Sequence, residues 1–266
     1  MELDDAYDNR GHIPGAQEFP PRWAAEARGF RDDRRASSVI GLSYGCTPRE
    51  VYDLFRPDGT SRGTVIFVHG GYWKAFERSD WSHLAAGALT QGWAVAMPSY
   101  TLCPESTIAG ITRQIAAAVT AIAARVSGPL ALTGHSAGGH LVARMLAPGM
   151  LPDPVLARIE RVVPISPVAD LEPLLRTSMN ATLGLDRAAA RAESPVHQPS
   201  PNVPVTVWVG SDERPAFLDQ ARWLARAWGV PCHIAPGKHH FDVIAALEDG
   251  QSALTQLLTG APDRSI

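Results

Sequence analysis

One feature constrains the fold more than any other: a strand-like segment passes directly into a serine flanked by glycines and then into a helix-like segment. Residues 130–133 (LALT) are followed at once by residues 134–138 (GHSAG), and residues 137–146 have helical character. In this context G-x-S-x-G is typical of a sharp turn that exposes a serine hydroxyl above a parallel sheet. We therefore expect Ser136 to be a nucleophile, with both glycines required because a Cβ would clash in so tight a turn.

Strand-like and helix-like segments alternate from residue 39 onward. We expect strands over residues 39–44, 51–55, 64–69, 93–97, 130–133, 162–165, 203–209 and 232–235, and helices over residues 79–89, 107–126, 137–146, 215–228 and 241–258. The first two strands are expected to form an antiparallel start. The later alternation predicts a mainly parallel sheet covered by helices on both faces. Together with the serine turn, it predicts the α/β class and an α/β-hydrolase fold.

A chain of 266 residues suits one α/β domain, so we expect residues 1–266 to form a single domain. Residues 1–35 are rich in charge, proline and glycine and are expected to form an arm across the core. Residues 171–199 interrupt the alternation and are expected to form a small lid of short helices.

A second motif follows the predicted strand over residues 64–69. Residues 69–73 (HGGYW) contain two glycines, which let the backbone approach a substrate closely. The loop at this place in the fold supplies backbone amides to a developing oxyanion. We expect the amides of Gly71, Tyr72 and Ala137 to do so. Tyr72 and Trp73 are expected to form a flat wall for the substrate, while His69 precedes the serine and is expected to organise the loop.

The fold requires an acid and then a histidine, each after a late strand. Asp212 follows the predicted strand over residues 203–209 and is the favoured acid; Glu213 and Asp170 are alternatives. His239 and His240 follow the last strand, and spacing alone does not separate them. His240 is favoured because Phe241 begins the next predicted helix and would anchor its neighbour.

Composition excludes several other classes of protein. Lys and Arg total 24 against 27 Asp and Glu, so charge gives no reason to expect nucleic acid or a charged membrane surface as a partner. No apolar run reaches the length of a membrane span, and the N-terminus lacks the pattern of a signal peptide. Three scattered cysteines are expected to be buried free thiols, which favours the cytoplasm. We expect a small-molecule substrate, no metal and no cofactor, and a homodimer is allowed.

The two motifs together resemble those of the arylformamidases, or kynurenine formamidases, a family related to the hormone-sensitive-lipase group of esterases. That broader group usually has a third glycine after His-Gly-Gly, where this chain has Tyr72, as is typical of the formamidases. The segments 98–104 (PSYTLCP) and 240–242 (HFD) are also similar, and the second supports His240. The resemblance covers nearly the whole chain from about Tyr44.

The resemblance implies hydrolysis of N-formylkynurenine to kynurenine and formate, through an acyl-enzyme and without a cofactor. A carboxylesterase acting on short-chain or aryl esters is the alternative, because it would use every one of the same catalytic residues. A ligand receptor that has lost catalysis is a third reading, but such proteins commonly lack the nucleophile or the base. Here residues of both types are present.

Overall fold

The computed structural model describes residues 1–260, and one sheet of eight strands forms its centre. The strands are β1 Ser38–Ser43, β2 Val51–Phe55, β3 Thr64–Val68, β4 Ala94–Pro98, β5 Leu130–His135, β6 Ile159–Ile165, β7 Val207–Gly210 and β8 Cys232–Ala235. Their order in the sheet is β1-β2-β4-β3-β5-β6-β7-β8. The strands expected from the sequence are all present, with shifted ends.

The sheet is antiparallel at one edge and parallel elsewhere. β2 runs antiparallel to both β1 and β4, whereas β3 to β8 pair in parallel. The predicted antiparallel start and mainly parallel sheet are therefore confirmed. Because β3 and β5 to β8 point the same way, the loops that follow them meet at one edge of the sheet. That edge carries every segment from which the sequence predicted a catalytic residue.

Helices cover both faces of the sheet. They are α1 Phe19–Asp33, α2 Ala86–Thr90, α3 Ile108–Arg125, α4 Ala137–Arg144, α5 Asp153–Leu156, α6 Asn180–Leu183, α7 Arg187–Glu193, α8 Pro215–Trp228 and α9 Ala253–Thr259. Short 3₁₀ helices add Arg10–His12, Ala16–Glu18, Arg35–Ser37, Arg78–Ala85, Glu172–Arg176, Pro195–His197 and Val243–Glu248. The single helix expected over residues 241–258 is instead two, because the chain turns between Glu248 and Ala253.

Alternation along the strands divides the core into two layers. On β3, Ile66 and Val68 pack with the apolar faces of α3, α4 and α8, while Val65 and Phe67 pack with α1, α2 and α9. All five residues of β3 are buried, as expected for a strand covered on both faces. Burial from both sides holds the strand ends rigidly, and the loops that leave them are therefore well positioned.

An ion cluster fastens the N-terminal arm to the sheet. Asp53 of β2 is fully buried and accepts hydrogen bonds from Arg31 of α1 and from Arg78, whose Nε lies 2.9 Å from Oδ1. Its Oδ1 also accepts from the amide of Gly41 at 2.8 Å. One carboxylate thus joins three segments that are distant in sequence.

The three cysteines differ in exposure more than the sequence suggested. Cys103 is buried and Cys232 is half-buried, but Cys46 is exposed, so the expectation of a buried thiol is wrong for Cys46. All three are free thiols.

Candidate active site

Ser136 lies in the turn between β5 and α4, with a backbone conformation that few side-chain-bearing residues adopt. Its φ and ψ are 57° and −116°, and its amide donates to the carbonyl of Ile165 at 2.8 Å. A Cβ on Gly138 would come within 1.9 Å of the Val68 carbonyl oxygen, and one on Gly134 within 2.4 Å of the Gly138 oxygen. The glycines therefore allow β3 and the turn to approach closely, and the turn holds the serine in its strained conformation.

His240 and Glu213 form a buried pair beside this turn. The Nδ1 atom of His240 lies 2.6 Å from Oε2 of Glu213, and both side chains are at most 4% exposed. The other oxygen of Glu213 accepts from the Ser166 hydroxyl and from the Gly210 amide, the latter at 3.0 Å. A carboxylate held from three sides can orient an imidazole so that its Nε2 atom is available to a substrate.

The expectation that Asp212 orients the histidine is wrong, and the alternative Glu213 occupies that place. The Asp212 amide donates to the Lys238 carbonyl, and its carboxylate accepts from the neighbouring Ser211 hydroxyl at 2.7 Å. Adjacent residues in the loop point in different directions, so a shift of one position exchanges the inward residue for an outward one. The other alternative, Asp170, accepts from the amide of Glu172 instead.

The two adjacent histidines are also separated by their surroundings. His240 is 3% exposed and its ring lies 4.2 Å from that of Phe217. His239 points elsewhere: its Nδ1 accepts from the amide of Phe241 at 3.1 Å, and its ring packs edge-on against Phe19. Of the pair, only His240 contacts Glu213.

The loop after β3 has a run of left-handed backbone conformations. Gly71, Tyr72 and Trp73 have φ values of 103°, 49° and 55°. Within residues 1–260 no carbonyl or side chain accepts from the amides of Gly71, Tyr72 or Ala137. His69 fixes the base of the loop, since its Nδ1 donates to the Gly70 carbonyl at 2.8 Å and its ring stacks on Tyr100.

Only one of the two aromatic residues expected to form a substrate wall does so. Tyr72 lines the cavity above Ser136, and its hydroxyl donates to the Tyr7 carbonyl at 2.7 Å. Trp73 is fully buried in the core and packs edge-on against His140, 5.0 Å away. The prediction for Trp73 is therefore wrong: successive residues in this loop face opposite sides, and Trp73 faces the core.

A cavity of about 730 Å³ opens over Ser136 and His240. Much of its wall is aromatic, and these residues are Tyr7, Trp23, Tyr72, Phe76, Trp81 and Phe241. Four of them form a cluster in which Trp23 lies within 6.1 Å of Trp81, Phe76 and Phe241, measured between ring centres. Ser178 and Met179, from the predicted lid, complete one side.

The N-terminal arm is the part of this site that sequence reasoning missed. Residues 4–5, 7–10, 20 and 23 line the cavity. Tyr7 is held from both sides: its hydroxyl accepts from Gln220 at 2.8 Å, and its carbonyl accepts from Tyr72. Tyr7 and Trp23 were the sign of this role in the sequence. Large aromatic side chains in an otherwise polar segment usually pack against another part of the protein.

The histidines around the site are kept neutral by burial. Burial lowers the pKa of His69 to about 4 and that of His140 to about 4. Burial, together with the nearby His240, lowers the pKa of His135 well below its usual value. The His135 ring lies 4.5 Å from that of His240. A neutral neighbour adds little repulsion to an imidazolium formed on His240.

Two further properties concern the part of the chain that the structure describes. No group of three or more His, Cys, Asp or Glu side chains there is arranged to hold a metal ion. No helix there is long and apolar enough to cross a membrane.

Comparison with known proteins agrees with this geometry. The sequence profile of the alpha/beta hydrolase fold matches residues 65–232. Kynurenine formamidase from Salmo salar is 28% identical, with 97% of this chain and 90% of that protein covered, and the enzyme from Danio rerio is 27% identical over 83% and 80%.

Several solved structures are also similar to this chain. A Silicibacter sp. TM1040 protein, provisionally described as a thioesterase, is 58% identical with a TM-score of 0.96, covering 97% of this chain and 99% of that one. Esterase B from a Lactobacillus shares the fold, with a TM-score of 0.68 and 19% identity over 90% of each chain. The chain therefore belongs to the α/β-hydrolase fold family, as a hydrolase similar to the kynurenine formamidases.

Proposed function

We propose that this enzyme hydrolyses a small aryl formamide, N-formylkynurenine, to the aryl amine and formate. The observation that carries the proposal is the buried Ser136, His240 and Glu213 set at the base of a cavity walled by aromatic side chains. A flat aryl group buries most of its area when it packs among such rings. The likeness to two fish kynurenine formamidases, over at least 80% of each chain, supports the same substrate class.

The chemistry follows from the positions of these groups. His240 takes the proton of Ser136 through Nε2 as Oγ attacks the formyl carbon, and Glu213 stabilises the imidazolium through Nδ1. The amides of Gly71, Tyr72 and Ala137 donate to the oxyanion, each contributing about 3 kcal/mol in comparable sites. His240 then protonates the leaving aryl nitrogen, and a formyl-enzyme remains.

The second half of the cycle uses the same residues. Water enters, His240 removes its proton, and the hydroxide attacks the formyl-enzyme carbonyl. The tetrahedral intermediate collapses, Ser136 Oγ regains its proton from His240, and formate leaves. Every proton is carried by His240, so the chain's own side chains complete the cycle and we propose that it needs no cofactor.

A thioester or ester substrate is the second candidate. It is favoured by the likeness to the 58% identical protein described as a thioesterase. The same serine mechanism can also expel an amine, an alcohol or a thiol. Charge does not separate these substrates, because the cavity is lined by residues of both signs, Asp4, Asp5 and Asp8 with Arg10 and Lys74. A small neutral ester remains compatible with the cavity.

Specificity constants decide between these substrates. We expect kcat/KM on N-formylkynurenine to exceed that on 4-nitrophenyl acetate and on S-phenyl thioacetate, with Ser136→Ala abolishing all three. Rapid ester or thioester hydrolysis without formamide cleavage would replace the proposal with the second candidate. Failure of the wild-type protein to react with a fluorophosphonate probe would instead support the hypothesis that the protein is a non-catalytic receptor.

We further infer that residues 1–266 form a single domain and that the enzyme acts in the cytoplasm on a free small molecule rather than on nucleic acid. One sheet that includes strands from residue 38 to residue 235 supports the single domain. Three free cysteines support a reducing compartment, and the near balance of charges gives nucleic acid no attractive surface. A homodimer is tested by sedimentation of the purified protein.

A further inference from the structure

We propose that the N-terminal arm recognises the α-amino-acid end of the substrate, with Asn9 binding the ammonium group and Lys74 the carboxylate. This inference rests on the proposed function for its substrate but names a binding site in its own right. The starting observation is Asn9, which lines the cavity and is 5% exposed. Its Oδ1 is buried and accepts no hydrogen bond from residues 1–260.

A buried, unpartnered acceptor is costly unless a ligand satisfies it. Native proteins pair nearly all such atoms, and leaving one without a partner typically costs about 1–3 kcal/mol. Asn9 follows Asp8, and both lie on a segment held in place by Tyr7. Asn9 is therefore fixed at the cavity wall, and a ligand with an N–H donor would satisfy its buried Oδ1.

The charges at the entrance divide into those that hold the arm and those that have no partner. Asp4 binds the N-terminal amine and the Ser178 amide, and Asp5 pairs with His12 and Arg214. These aspartates stabilise the arm itself.

Three other charged residues line the same entrance: Asp8, Arg10 and Lys74. Among the residues described, none of them forms an ion pair within 4.0 Å, although Asp8 Oδ1 accepts from the Gly11 amide. One anion and two cations beside a buried acceptor match a zwitterion: Asn9 and Asp8 suit an ammonium group, and Lys74 and Arg10 suit a carboxylate.

The order of groups along the cavity matches the order along N-formylkynurenine. Ser136 and His240, each 3% exposed, lie at the base, while Asp8, Arg10 and Lys74 are exposed. The aromatic wall belongs to the same cavity. In the substrate the formamide and the side chain are neighbours on one ring, and a ketone and a methylene separate that ring from the amino-acid carbon. With the formamide at Ser136, the amino-acid end extends toward the arm.

Inhibition tests this site independently of formamide cleavage. The esterase activity on 4-nitrophenyl acetate is measured with L-kynurenine or with 2-aminoacetophenone, which lacks the amino-acid group, as inhibitor. We expect L-kynurenine to bind the wild-type enzyme about 10- to 100-fold more tightly, the scale of a hydrogen bond to a charged group. Asn9→Leu, which has the same branching but no acceptor, and Lys74→Met should each remove most of this preference.

Two further variants guard against a merely structural effect. Asn9→Asp keeps an acceptor for the ammonium group and should retain the preference, whereas Gln17→Ala, exposed on the arm outside the cavity, should leave it unchanged. Equal affinity for the two inhibitors in the wild type, or loss of the preference in Gln17→Ala, would overturn the proposal. A wild type that cleaves no formamide yet prefers L-kynurenine would retain the subsite and refute only the proposed function.

Discussion

The Nδ1 atom of His240 lies 2.6 Å from a carboxylate oxygen of Glu213, and both side chains are buried. The carboxylate is held by Ser166 and Gly210 as well, so it cannot turn away to another donor without losing those bonds. The histidine is therefore fixed with Nδ1 protonated and Nε2 available for proton transfer.

Replacing Glu213 with Gln should lower kcat by about 10²- to 10⁴-fold, because an amide at this position favours the wrong imidazole tautomer. Asp212→Asn is the matched control, one residue away and outside the site, and should change kcat by less than about twofold. Steady-state kinetics on N-formylkynurenine measures both. Greater loss in Asp212→Asn than in Glu213→Gln would mean that the acid has been misassigned.

His240→Ala should lower kcat by about six orders of magnitude, as for the histidine of another serine triad. His239→Ala should retain most activity, because its ring packs on Phe19 and its nitrogen binds backbone amides of its own loop. Fluorophosphonate labelling of Ser136 provides a second measurement and should be slowed only in His240→Ala. Slowing only in the His239 variant would show that His239, and not His240, is the general base.

Tyr72→Phe should loosen the arm over the active site, because it removes the hydroxyl that donates to the Tyr7 carbonyl. We expect hydrogen exchange to rise over residues 3–12 and KM to increase by roughly 3- to 10-fold, the scale of one neutral hydrogen bond. Tyr44→Phe removes a similar bond, to the Ser99 carbonyl, and is the control. Unchanged exchange of the arm in Tyr72→Phe would show that other contacts suffice to hold it.

Asp53→Asn should lower the free energy of unfolding by about 3–5 kcal/mol, because two largely buried arginines, Arg31 and Arg78, would lose their counter-ion. Urea denaturation measures the loss. The control is Asp58→Asn: Asp58 is 96% exposed and pairs with Arg34 only at 3.7 Å, so its loss should cost less than about 1 kcal/mol. Similar losses in both variants would show that the buried cluster has no special role.

The protein should lose stability in mild acid. His69 and His140 have pKa values of about 4 when folded and about 6.5 when unfolded, so the unfolded chain binds more protons between these limits. Each histidine therefore stabilises the fold fully above about pH 6.5, and this contribution falls toward pH 4 with a slope of about 1.4 kcal/mol per pH unit. His140→Gln should reduce the slope by that amount in urea titrations at several pH values; an unchanged slope would contradict it.

The sequence by itself determined the order of strands and helices, the serine turn and the glycine-containing loop that follows β3. These depend on local rules: apolar runs, helical spacing and glycines at places where a Cβ has no room. Gly138 illustrates this, since its neighbour Val68 belongs to the adjacent strand in a pairing that the fold class already implies.

Only the tertiary structure decided which residues of each loop face the site. Asp212 and Glu213 are adjacent, as are Tyr72 and Trp73, and in each pair one residue faces the site while the other faces away. The choice depends on contacts with segments distant in sequence: Ser166 holds Glu213, and the Tyr7 carbonyl binds Tyr72. The arm entered the site for the same reason, because its aromatic residues are buried by surfaces that exist only after the sheet has formed.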